Sequence, residues 1–172
     1  VAKRTGATAL PAGNGAGSAP GQRRAESFLM PVVTRWFLKS ALVCLVAALI
    51  LALLLAFPQS VGLPQFILFM NPAYFHLFLV GWVTQMIFGV IYWLFPIISR
   101  AQPRGNEKIA WASYALLNVG LLLRVVGEPL TSSLPAAGLG WLLVVSALLQ
   151  WLAALLFVSL AWPRVKERYR GE

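Results

Sequence analysis

Four apolar stretches, residues 33–57, 72–97, 109–127 and 139–162, restrict this chain to very few folds. A helix needs about 20 consecutive apolar residues to cross the hydrocarbon core of a bilayer, and each stretch approaches or exceeds that length. In hydrocarbon every backbone N–H and C=O must be bonded within the protein, which makes such isolated stretches helices. The expected fold is all-α, an integral membrane four-helix bundle over residues 31–163. It is flanked by a flexible basic tail, residues 1–30, and a short basic tail, residues 164–172. With 59% hydrophobic and 11% charged residues, the chain carries more apolar surface than a soluble domain of 172 residues can bury. Local signals set the ends: Asn71 and Pro72 read as a cap and first-turn proline, Pro96 closes the second span and Pro163 follows the fourth.

The net charge of +9 is distributed by side. Lys3, Arg4, Arg23, Arg24, Arg35 and Lys39 precede or open the first span, Arg100, Arg104 and Lys108 lie between the second and third, and Arg164, Lys166, Arg168 and Arg170 follow the fourth. Arg124 alone falls on the opposite side. By the positive-inside rule both termini are expected in the cytoplasm of a bacterial inner membrane, with Trp36, Trp93, Trp111 and Trp162 as an interfacial belt there. Basic residues placed beside apolar spans point to anionic lipid and membrane orientation as their reason, not to nucleic acid. Residues 1–26, rich in Gly, Ala and Pro, lack the apolar core of a secretory signal and read as a disordered segment that a partner protein would hold. The uncharged connection 58–70, with Phe66, Ile67, Leu68, Phe69 and Met70, is too short to span and is expected in the outer interface or against a neighbouring subunit.

Polar residues inside the spans are the candidates for function. At about 1.5 Å of rise per residue, the middles of the second, third and fourth spans fall near Gln85, Asn118 and Gln150. Three amides at one depth form either hydrogen-bonded glue between helices or a polar pocket for a quinone headgroup or a proton path. Farther out, His76 lies roughly 13 Å from the level of Gln85, and Arg124 roughly 9 Å from that of Asn118. Glu128 stands at i+4 from Arg124, so the two can pair on one helix face and lower the cost of charge near the apolar core. Arg124 is also a candidate to hold a cofactor carboxylate or to position His76. His76, the chain's one histidine, is a packed residue bonded to a carbonyl or to Glu128, an axial ligand to haem iron, or a proton-exchanging group.

Other features are weaker. Cys44 stands alone in the first span, with no Cys-x-x-Cys pair or haem-attachment motif around it, and reads as a small apolar residue. One histidine without clustered carboxylates or cysteines does not close a zinc or copper site. No nucleophile elbow, phosphate-binding loop or paired carboxylates appear, so catalysis by this chain on its own is not expected. Trp82 and Trp151, near mid-span, pack helices or line a haem or pigment face. Ala48, Ala52 and Ala56 repeat every fourth residue and offer a small-residue face for close helix approach.

The pattern His76, four residues, Gly81-Trp82, six residues, Gly89, six residues, Pro96 resembles the second transmembrane helix of haem-copper oxidase subunit I. It is most similar to the short four-helix subunit-I-like proteins of bacteria and to the nitric-oxide-reductase side of that superfamily. The resemblance implies that His76 is an axial ligand to a b-type haem. It also marks departures: the family's second low-spin ligand and its high-spin haem and copper ligands come from later helices that this chain lacks, and Tyr74 stands where the short proteins carry a further histidine. Any haem would therefore take its second ligand from Met70, water, a second copy of the chain or a partner, or stay five-coordinate.

Together these readings point to a non-catalytic accessory subunit of a bacterial respiratory or photosynthetic electron-transfer complex, contacting lipids and a candidate quinone, with haem b as a candidate cofactor. The alternatives are a free-standing redox membrane protein built on His76 and Arg124, and a small transporter or sensor whose path is lined by Gln85, Asn118 and Gln150.

Overall fold

A computed structural model describes residues 30–57, 62, 64–95 and 105–165. Residues 1–29 and 166–172 of the expected tails (1–30 and 164–172) and Pro96 lie outside the described residues. The described chain is all-helical, with four helices long and apolar enough to cross a membrane, an architecture compatible with a multi-pass membrane protein. These are α1 (Val32–Leu55), α3 (Asn71–Leu94), α4 (Glu107–Ser133) and α5 (Trp141–Ala161); a single turn, α2 (Gln65–Leu68), precedes α3.

The helix ends depart from the expected bounds for local reasons. Phe95 takes an extended conformation (φ −66°, ψ 147°) and ends α3, as the residue before a proline is pushed to do. Asn71 does not cap α3: it is the first helical residue, Met70 holds the flanking position, and no side chain bonds the free N–H groups. The third span starts earlier and ends later than the expected 109–127. Asn106 caps it by accepting from the Lys108 N–H at 3.0 Å, Glu107 sits where the helix dipole favours an anion, and the helix continues through Pro129. Hydropathy closed that span at its charges, whereas the Arg124–Glu128 pair lets the helix carry them. Gly138, at φ 63°, turns the chain back into α5.

The bundle is two antiparallel pairs, α1 against α3 and α4 against α5, with α1 meeting α4 only sparsely. Two glycines set the spacing within the pairs. A Cβ at Gly81 would lie 2.8 Å from Cys44 Cβ, and one at Gly120 would lie 3.0 Å from the Ser146 carbonyl oxygen, so a side chain at either would force the helices apart. The expected alanine face is only partly used: Ala48 is buried, Ala52 half-buried and Ala56 exposed beyond the end of α1.

The core lies toward the end of the bundle that holds Val33, Ala110 and Leu160. Phe37 meets Phe88, Tyr114 and Phe157 edge-on, a geometry that adds to area burial, while Phe88 and Phe157 lie face to face at 3.8 Å. Arg164 closes this end. Assigned to the tail by sequence, it is 2% exposed, donates from Nη2 to the Phe95 (2.6 Å) and Tyr92 (3.1 Å) carbonyls, and lies near both rings. It thus caps the carbonyl end of α3, where the dipole favours a cation. Outward faces are apolar, with Val43, Leu53, Leu122, Val144 and Trp151 exposed, as lipid contact allows.

Candidate functional site

Of the three amides expected at one depth, two meet. Gln85, fully buried, and Asn118 exchange hydrogen bonds of 3.3 Å in both directions, linking α3 to α4. Asn118 also donates to the Tyr114 carbonyl at 2.9 Å. The Ser40 hydroxyl on α1 lies 2.5 Å from Gln85 Oε1, which competes with the Trp36 and Phe37 carbonyls for the one hydroxyl proton. Three helices are thereby tied at one level, with the third member a serine.

Gln150 belongs elsewhere. Its Nε2 donates to Ser146 Oγ at 3.1 Å, and Ser146 in turn donates to the Gly120 carbonyl at 2.7 Å. Ser113 repeats the device one level down, donating to the Ala153 carbonyl at 2.9 Å. Gln150 is thus part of the α4–α5 seam and not of the amide pair. Ser40, Ser113 and Ser146 carry these links and are not singled out by the sequence, where other hydroxyls such as Thr34 and Ser159 stand in the same helices.

The second expected constellation does assemble. Arg124 Nε donates to Glu128 Oε1 at 2.6 Å, and His76 Nδ1 approaches the same oxygen to 3.8 Å. The imidazole is held by a nearer acceptor, since Nδ1 lies 3.0 Å from the Pro72 carbonyl oxygen. Glu128 is 6% exposed, and its Oε2 meets no hydrogen-bond partner among the described residues. Beyond Glu128 the hydroxyls of Thr131 and Ser133 bond back to the carbonyls of Gly127 and Pro129.

A backbone irregularity brings the two constellations onto one side of α3. Residues Leu77–Thr84 form a π-helix, with Thr84 Oγ1 donating to the Leu79 carbonyl at 2.9 Å. At about 100° per α-helical residue, His76 and Gln85 would point to opposite sides of a regular helix. The i→i+5 bonding of this segment winds less per residue than an α-helix, and both side chains meet α4, Gln85 at Asn118 and His76 beside Glu128. Nothing in the apolar sequence 77–84 announces this.

Between α1 and α4, where those helices diverge around α3, lies a groove of about 510 Å³. From α1 it takes Trp36, Lys39, Ser40, Val43, Cys44 and Ala47; from α4, Tyr114, Asn118, Leu121, Leu122 and Val125; and Leu77 of α3 lies beside its far end. Trp82 does not line it and packs edge-on against Phe78, while Trp151 projects from α5, 62% exposed.

Comparisons with known protein families, with curated proteins and with solved structures found no match.

Proposed function

We propose that this chain is a non-catalytic accessory transmembrane subunit of a bacterial respiratory or photosynthetic electron-transfer complex, seated in the inner membrane with both termini in the cytoplasm. The observation that carries the reading is the use made of the polar groups inside the spans. Ser40, Gln85 and Asn118 bind three helices together, and Ser113, Ser146 and Gln150 seal a fourth against them. Such bonds serve bundle integrity, at roughly 0.6–2 kcal/mol each. The charge asymmetry of the loops supports the orientation.

A b-type haem at His76 is the second reading, and one observation favours it. A ligating imidazole commonly gives its other ring N–H to a carbonyl, as Nδ1 is placed to do with Pro72, and this leaves Nε2 for iron. The fit is partial, because Arg124, the expected partner of a haem carboxylate, already holds Glu128. Bound there, haem would supply one-electron chemistry.

A reduced-minus-oxidised visible spectrum of the isolated chain and of the gently solubilised assembly, with co-purifying proteins identified, tests both. The accessory reading expects a colourless chain recovered with large redox partners. A b-type signal from the isolated chain, lost in His76→Ala, would replace it with the haem reading. Recovery of the chain alone and colourless would defeat both.

A further inference from the structure

We infer that the groove between α1 and α4 holds an anionic phospholipid, one acyl chain lying along the groove and the phosphate at Arg35 and Lys39. The inference is independent of any role in electron transfer. A volume of about 510 Å³ lies within the range of roughly 300–1,000 Å³ found for small-molecule sites. From the level of Lys39 to that of Ala47 the groove runs about 12 Å along the helix axis. Its walls are built largely from side chains such as Val43, Ala47, Leu121 and Val125, which suit a hydrocarbon chain.

The polar groups within the groove do not call for a polar occupant. Ser40 is bonded to Gln85 or to its own helix, and Asn118 is engaged by Gln85 and the Tyr114 carbonyl. A quinone ring seated there would have to break those bonds. Charge is instead available at the mouth. Lys39 lines it, and Arg35 stands one turn earlier at i−4 on the same face of α1. Both are exposed, and neither meets an acidic partner among the described residues. Arginine offers a fork of donors and lysine a compact charge to a phosphate, and basic pockets between transmembrane helices bind acidic headgroups in this way. Trp36 beside them, half-exposed and edge-on to Tyr114, has the amphipathic ring that settles at headgroup level.

The test is native mass spectrometry of the full chain released from mild detergent in phosphatidylglycerol or in phosphatidylcholine of the same acyl composition, with titration of each lipid. Phosphatidylglycerol should be retained preferentially. Arg35→Gln with Lys39→Gln, at two exposed positions that leave the bundle packing alone, should weaken its binding about 30-fold, from the usual contribution of two cations at a membrane surface. Ala47→Phe, which fills the groove without touching charge, should also lower retention, with far-UV circular dichroism to show that the helices persist. Equal retention of the two lipids, or a phosphatidylglycerol preference that survives Arg35→Gln/Lys39→Gln, overturns the inference. So does displacement of the lipid by an equimolar long-chain benzoquinone, which would make the groove a quinone site.

Discussion

Two polar clusters of the bundle, both shared by α3 and α4, are built on opposite terms. In the Ser40–Gln85–Asn118 group all members are neutral and both amides bond each other in both directions, so burial costs little beyond ordering the side chains. In the His76–Arg124–Glu128 group the arginine and the carboxylate pair, but among the described residues Glu128 keeps a buried oxygen unpartnered and His76 stands 3.8 Å from its nearer oxygen, beyond hydrogen-bond distance. The first arrangement is what packing alone requires. The second retains unused bonding capacity in an apolar setting, a costly condition that marks it as the place to look for chemistry.

The contrast can be broken most forcefully at Glu128. Glu128→Ala leaves the Arg124 guanidinium without its anion, and breaking a buried pair from one side costs about 3–5 kcal/mol. Because Arg124 is 23% exposed, the lower figure of about 3 kcal/mol applies. Arg124→Leu combined with Glu128→Leu should restore most of that loss, since it removes both charges. Reversible unfolding in mixed micelles by a denaturing detergent measures the difference. A Glu128→Ala protein as stable as the parent would mean that Arg124 finds another anion or water, and the cluster would no longer be a closed pair.

How far these clusters can be read from sequence depends on the range of the interaction. The Arg124–Glu128 pair is an i,i+4 relation on one helix, and simple spacing finds it. The depth argument also brings Gln85 to Asn118, because two antiparallel spans share a midpoint. Depth does not give azimuth: Gln150 is at the same level but faces Ser146, while Ser40 faces Gln85. The π segment decides which side of α3 each polar residue presents, and it contains Gly81, where Cys44 and Leu121 of two other helices approach too closely for a side chain, contacts that spacing along one chain does not reveal. Arg164 was hidden for a related reason. A basic residue after a span reads as an interfacial charge, and only the open carbonyls at the end of a different helix draw it inside.

A smaller effect is expected at the amides. Gln85→Leu removes the shared partner of Ser40 and Asn118 and should lower stability by about 1–2 kcal/mol. The informative quantity is the coupling between Gln85→Leu and Asn118→Leu in a double-mutant cycle, expected at about 0.6–1.7 kcal/mol. Coupling near zero would show that each amide finds a substitute on its own helix, as Asn118 already does in part with the Tyr114 carbonyl. The contrast with the charged cluster would then be one of charge alone.

The smallest change should come from His76, the residue with the sharpest functional question. Its stronger contact is the carbonyl one turn back on its own helix, and 28% of its side chain is exposed, so His76→Phe removes little that joins helices. The expected loss is under about 1 kcal/mol, in the range of partly exposed polar pairs. A cycle with Glu128→Gln should show weak coupling, because the shared oxygen is already taken by Arg124. A loss comparable to that at Glu128 would make the imidazole a structural member of the charged cluster and remove the reason to seek a ligand there. A small loss carries the opposite implication. A histidine whose Nδ1 is engaged by a backbone carbonyl, at little benefit to the fold, keeps its other ring nitrogen to offer to something else.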